Sequence, residues 1–300
     1  MRFSATSTAS LLLSATPTMA SANTTTYRYG PNVLQTYDVY IPSASGSEAA
    51  AAEKHWLVWI HGGFYRDLAQ DSTGIHAAIA SLEADGADVL ATRVAGIASL
   101  NYRLSALPGV QPNNTPPAER QDARWPDHLA DAVAALKDLN EHYPIGGKYV
   151  LSGHSVGAQI AFFAALEALD DPSVPEPAAV LGISGIYDYP RLHVTHPSYD
   201  SLVLNAMRQD QLVAASPARV DAGKYAALGV EAFVLAHSRD DGLVPWDQLE
   251  AIEATLSGLP ELGSKTRVVE LQGAHNDIWR GGVALSKAFT ETLALLGSRP

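Results

Sequence analysis

The 300-residue chain contains no cysteine. That removes disulfides, thiolate metal sites and a thiol nucleophile together. Basic residues are also scarce: 20 Lys plus Arg stand against 32 Asp plus Glu, a formal net charge of −12. A chain so acidic lacks the basic stripe that a phosphate backbone demands, so nucleic acid is not an expected partner, nor is an anionic membrane surface. No run approaches the roughly 18 consecutive apolar residues of a membrane-spanning helix. There is no HExxH, no P-loop and no GxGxxG behind a strand, so nothing points to a catalytic zinc or a nucleotide. His193 and His196 form an i,i+3 pair, but prolines flank them and the segment reads as a loop. No metal and no cofactor is expected.

What is present suits a globular domain. With 47% hydrophobic and 17% charged residues the chain can bury a real core. Residues 1–22 are rich in Ser, Thr and Ala and read as a disordered tail, a cleaved segment or an over-long start with Met19 as initiator. The rest, 23–300, is expected to be one domain. Residues 43–54 and the Pro/Asn-rich 106–128 stretch interrupt it as loops. Cytoplasmic placement is the expectation and secretion the alternative; the sequons at Asn23 and Asn113 matter only for the latter. A homodimer is left open.

Short β-rich runs alternate with segments of helical period. Strands are expected at 34–42, 55–61, 96–103, 148–153, 178–185, 231–238 and 266–272, several of them continuously apolar as in a sheet covered on both faces. Helical patterns fall at 73–86, 128–143, 156–169, 199–215, 246–256 and 284–296. This alternation predicts an α/β fold with a mostly parallel central sheet and helices on both faces. Ligands of such sheets sit at the carboxyl ends of the strands, so motifs placed there carry the most weight.

One such end reads Gly153-His154-Ser155-Val156-Gly157, between the strand KYVLS and a helix beginning at Val156. A strand turning directly into a helix forces a strained backbone at the serine, and side chains two before or two after it would clash. The turn lifts Oγ above the sheet and aims the Val156 amide and the helix dipole at any oxyanion formed there. Upstream, His61-Gly62-Gly63-Phe64-Tyr65 ends the strand HWLVWI. Its paired glycines let backbone amides approach a substrate oxygen, making Gly62, Gly63 and Phe64, with Val156, the expected oxyanion hole. His61 is expected to prop this loop by hydrogen bonding.

A serine needs a base, and the base an orienting acid. Strand 231–238 runs into Arg239-Asp240-Asp241-Gly242, and strand 266–272 into Gly273-Ala274-His275. The order Ser155, Asp241, His275 follows, each at a strand end. His275 is the only histidine after position 237. Asp241 is preferred to Asp240 because it precedes the turn Gly242-Leu243-Val244. His154 and His237 are the histidines placed to tune the site.

These motifs, in this order, resemble the α/β-hydrolase fold from about Tyr27 to the last helix. More narrowly the chain resembles the kynurenine formamidase (arylformamidase) branch, close to hormone-sensitive-lipase-type esterases. The stretches that carry the likeness are YRYGPNVLQTYDVYIP, WIHGGFYRD, SLNYRLS, ARWPDHLADAVAAL, YVLSGHSVGAQIAF, HSRDDGLVPWDQ and GAHNDI. The resemblance implies Ser155 as nucleophile, Asp241 as acid and His275 as base. It puts Tyr65 where that family usually has tryptophan, an aromatic of different size with an added hydroxyl. It implies a small-molecule substrate, N-formyl-L-kynurenine, cleaved to kynurenine and formate. His61, Tyr65 and His154 are then the expected substrate-side residues. Phe64, Tyr65 and the 106–128 loop, a candidate lid, would line the aryl pocket. Two other readings keep the triad: a carboxylesterase of different range, or a hydrolase fold recruited for cyclisation, dehydration or C–C cleavage. A non-catalytic scaffold is disfavoured by the intact Ser, Asp and His.

Overall fold

The computed structural model describes residues 24–42, 54–84, 89–107, 109 and 111–296. The expected tail 1–22, Asn23 and residues 43–53 of the first loop lie outside the described residues. Eight strands form one sheet: β1 (Thr24–Arg28), β2 (Thr36–Tyr40), β3 (His55–Ile60), β4 (Val94–Leu100), β5 (Tyr149–His154), β6 (Ala179–Ile183), β7 (Ala232–Ser238) and β8 (Thr266–Leu271). Their spatial order is β1-β2-β4-β3-β5-β6-β7-β8. Only β2 runs against its neighbours β1 and β4; every pair from β4 through β8 is parallel. The mostly parallel α/β sheet is therefore as expected. Strand β1, TTTYR, was not, because its alternation is weak and it lies half-exposed at the sheet edge.

Successive side chains of a strand point to opposite faces, and both faces here are apolar. Trp56, Val58 and Ile60 of β3 join one core with Leu151, Phe162 and Phe233, while Leu57 and Trp59 join the other with Leu181, Val234 and Phe289. The first core is roofed by α1 (Asp127–His142) and α2 (Val156–Asp170). The second is roofed by the helices His76–Ala84 and Val283–Leu296. Double coverage explains why the strands read as unbroken apolar runs.

Two expectations about helices fail. The 199–215 pattern is not one helix: it ends at Ala206, and Met207 turns extended (φ −150°, ψ 162°). The break buries Met207 completely and frees the Ala206 carbonyl to accept from the Trp125 amide at 2.7 Å. Conversely, the proline-flanked segment read as a loop contains a helix, Tyr189–Thr195. Pro190 falls in its first turn, where no amide is needed, and Asp188 caps it by accepting from the Arg191 amide at 3.0 Å. Among the described residues no helix is long and apolar enough to cross a membrane.

Candidate active site

Strand β5 passes into α2 with Ser155 alone between them. Ser155 adopts φ 57°, ψ −122°, a strained conformation for a residue with a side chain, of the kind that concentrates at functional sites. Its amide donates to the Ile183 carbonyl at 2.9 Å, and its carbonyl accepts from the Ala158 amide at 3.1 Å. Gly157 has no room for a side chain: a Cβ there would lie 2.2 Å from the Ile60 carbonyl oxygen and 2.5 Å from that of His61. The start of α2 is thus pressed against the end of β3, which brings the serine turn beside the His61–Tyr65 loop.

That loop is itself strained. Gly63, Phe64 and Tyr65 have φ of 91°, 50° and 65°, and the amides of Arg66 and Asp67 both donate to the Gly63 carbonyl at 3.0 Å. Among the described residues the amides of Gly63 and Phe64 make no hydrogen bond. The Val156 amide, first in its helix, has no intrahelical acceptor. Gly63 and Phe64 line the same cavity as Ser155. Gly62 and Val156 do not; Gly62 borders a small void behind the loop, and Val156 is buried.

Asp241 and His275 follow β7 and β8. His275 Nδ1 donates to Asp241 Oδ2 at 2.7 Å, and the amides of Leu243 and Val244 both donate to Oδ1 at 2.9 Å. The Asp241 side chain is wholly enclosed. Burial pushes its carboxyl up, but the His275 hydrogen bond and charge, with the two amides, prevail and hold it down at about 2. With Nδ1 carrying the proton, Nε2 of a neutral His275 is left as an acceptor. His275 and Ser155 line one cavity. No hydrogen bond joins the Ser155 hydroxyl to any described residue; catalytic contacts of this type often tighten only when substrate binds. Among the described residues the Asp240 carboxylate has no hydrogen-bond partner, and Asp240 is exposed.

The two histidines expected to tune the site both pack against this pair. His154 Nε2 donates to the His275 carbonyl at 3.1 Å, and the two rings lie 4.4 Å apart. His237 Nε2 donates to the Val244 carbonyl at 3.0 Å and lies 3.5 Å from Asp241 Oδ2. Burial lowers both pKa values, His154 far below the ordinary range. Two neutral rings therefore flank the pair, and Asp241 supplies its negative charge.

The substrate-side assignments need correction. His61 is buried, donates from Nδ1 to the Gly62 carbonyl at 2.9 Å and stacks on Tyr102 at 4.4 Å. It props the loop. Tyr65 is fully buried, and its hydroxyl bonds to Gln159 Oε1 at 2.9 Å and to the Tyr189 hydroxyl. Its left-handed backbone turns the ring inward, away from the cavity. His154 is also wholly enclosed. None of the three lines the cavity. Of the described residues of the 106–128 stretch only Leu107 does so. Much of the rest is tied down: the Ala118 carbonyl accepts from the Val33 amide at 2.8 Å, and Asn205 Nδ2 donates to the Ala106 carbonyl at 2.7 Å.

The cavity measures about 410 Å³, within the usual size range of small-molecule sites. Phe64, whose ring meets Tyr199 edge-on at 5.8 Å, forms much of its apolar wall with Leu202, Leu243 and Val244. Arg66, Asp67, Gln70 and Asn276 supply the polar part. Tyr199 and Leu202 were missed because their segment read as an ordinary amphipathic helix. Arg66, Asp67 and Asn276 had a usable signal in their adjacency to the two motifs. Among the described residues no cluster of three or more His, Asp or Glu side chains could hold a metal ion, and His193 is paired with Asp200 at 2.7 Å.

No protein-family model matches the chain. A kynurenine formamidase of Aspergillus versicolor is 31% identical to it over 282 residues, covering 86% of this chain and 95% of that protein. A kynurenine formamidase-like hydrolase of Fusarium equiseti is 28% identical over 285 residues, covering 91% and 92%. Among solved structures, esterase 2 of Thermogutta terrifontis superposes with a TM-score of 0.63 over 92% of this chain and 96% of that one. At 16% identity this likeness shows the shared α/β-hydrolase fold.

Proposed function

The chain belongs to the kynurenine formamidase family, and on that premise we propose that it is a serine hydrolase that cleaves an aryl formamide, N-formyl-L-kynurenine, into kynurenine and formate. The observation that carries this reading is the Asp241–His275 pair, joined at 2.7 Å and opening onto the cavity that Ser155, Gly63 and Phe64 also line.

In this mechanism Ser155 Oγ attacks the formyl carbon while His275 Nε2 takes its proton. Asp241, held ionised, stabilises the imidazolium and keeps the ring in the tautomer that leaves Nε2 free. The negative charge developing on the formyl oxygen is received by the amides of Gly63, Phe64 and Val156. Removing one such donor typically costs about 10²–10³ in rate. Collapse breaks the C–N bond, and the imidazolium returns its proton to the departing arylamine. Water, deprotonated by His275, then cleaves the formyl ester and releases formate, regenerating the Ser155 hydroxyl. The apolar wall of Phe64, Tyr199 and Leu202 suits an aryl group.

The test is formate release from N-formyl-L-kynurenine by the wild type beside Ser155→Ala, with a short-chain aryl ester in parallel. Rapid, serine-dependent deformylation is the expected result. Ester turnover with negligible deformylation would move the chain to the carboxylesterases, and turnover retained by Ser155→Ala would remove the nucleophile.

A further inference from the structure

We infer that Arg66 is a specificity residue whose guanidinium receives a carboxylate carried by the substrate, so that the cavity selects aryl formamides or esters that bear a carboxylate over those that do not. The inference rests on the serine-hydrolase reading above and concerns the recognition group rather than the reacting atoms. Other arginines of the fold have partners: Arg103 pairs with Asp131, Arg219 with Asp188, Arg208 with Asp210 and Arg239 with Glu270. The Arg66 guanidinium has none among the described residues, although the chain carries 32 carboxylates. It is half-buried in the wall of the cavity that holds Ser155 and His275.

Three features make this cation suited to a ligand. Its backbone is fixed on the same turn as the proposed oxyanion donors, since its amide donates to the Gly63 carbonyl and the preceding Tyr65 is anchored in the core. The neighbouring acid in the wall, Asp67, already accepts from the Ala69 amide at 3.0 Å and from Gln70 Nε2 at 3.3 Å. The rest of the wall is mainly apolar, which weakens competition from water. A guanidinium presents parallel donors that match the two oxygens of a carboxylate, a match that an ammonium does not offer. In a protein of net charge −12, a cation in the cavity wall is the local partner that a substrate carboxylate would find.

The experiment compares kcat/KM of wild type, Arg66→Gln and Arg66→Lys on matched pairs. One pair is N-formyl-L-kynurenine and its α-carboxamide, which keeps the aryl formamide and the ammonium and lacks the carboxylate. The other is 3-(2-acetoxyphenyl)propanoate and 2-propylphenyl acetate. Arg66→Gln should lower kcat/KM about 10- to 100-fold on the carboxylate-bearing member, mainly through KM, as expected for losing hydrogen bonds to a charged group. The member without the carboxylate should stay within about twofold, and Arg66→Lys should recover part of the loss. Absence of preference for the carboxylate-bearing member in the wild type, or an equal loss on both members, would overturn the inference. Inert formamides beside an Arg66-dependent preference for the anionic acetate would overturn the formamidase reading and leave this one standing. Should neither pair turn over, binding of L-kynurenine against its α-carboxamide to the wild type decides, and equal affinity refutes it.

Discussion

Asp241→Asn tests the proposed base through hydrogen bonds that can be followed atom by atom. Two backbone amides, of Leu243 and Val244, point at Asp241 Oδ1 at 2.9 Å. In an asparagine they would claim the amide oxygen, which forces the NH₂ into the place of Oδ2, 2.7 Å from His275 Nδ1. Two donors would then face each other. The ring relieves this by moving its proton to Nε2 and accepting at Nδ1, which leaves no acceptor for the Ser155 proton. His237 offers no rescue, because its Nε2 proton is committed to the Val244 carbonyl at 3.0 Å. Wrong-tautomer substitutions in serine triads cost about 10⁴ in kcat, or about 5 kcal/mol of barrier. Because asparagine is nearly isosteric, the fold should persist. The assay is kcat for formate release beside circular dichroism and thermal unfolding, with Asp240→Asn as control. Asp240 is exposed and its carboxylate touches nothing described, so that change should stay within about threefold. A folded Asp241→Asn enzyme within tenfold of wild type, or equal losses at both positions, would refute the argument.

Further expectations follow from the surroundings of the site. Gly157→Ala drives a methyl to 2.2 Å from the Ile60 carbonyl oxygen and should destabilise by at least about 3 kcal/mol in urea unfolding, at the upper end of overpacking costs. Gly242→Ala, with nothing within 4 Å, should stay within about 0.5 kcal/mol. Tyr65→Phe strands the Gln159 oxygen and the Tyr189 hydroxyl and should cost about 1–3 kcal/mol. A tenfold rise in KM without loss of stability would return Tyr65 to the cavity wall. Burial holds the folded His61 at about 4 and, aided by the Arg103 charge, His128 at about 3. As pH falls through 6.5 the unfolded chain therefore takes up protons that the folded chain refuses, and stability should decline toward pH 4. Urea midpoints of His128→Gln should fall with a slope shallower by up to about one proton, and an unchanged slope would contradict the burial argument.

The features legible in the sequence are those that depend on residue type and order alone. The buried strands announced themselves as apolar runs, because both faces of the sheet are covered. The serine turn was readable because Gly153 and Gly157 must lack side chains there, and the acid and histidine because each terminates a strand on the same edge. Strand β1 was not readable: TTTYR lies at the edge with little buried alternation. Nor was the break at Met207, where burying one side chain and satisfying Trp125 outweighed a good helical pattern. The facing of Tyr65 was equally hidden. It follows from φ at Phe64 and Tyr65, which the residue types do not announce, since neither favours the left-handed region.

That hidden turn determines how the site divides its labour. With Phe64 and Tyr65 both left-handed, consecutive residues leave the loop in different directions: Phe64 into the cavity, Tyr65 into the core, Arg66 back to the cavity wall. The buried bonds of Tyr65 to Gln159 and Tyr189 hold the strain of the turn in place. The aromatic that looked in the sequence like a substrate contact is instead the anchor, and the residues on either side of it line the cavity. A change of side chain at 65 should therefore act on the proposed oxyanion amides and on Arg66 together, through the backbone. Changes at 64 or 66 should alter what the cavity accepts and leave the turn intact.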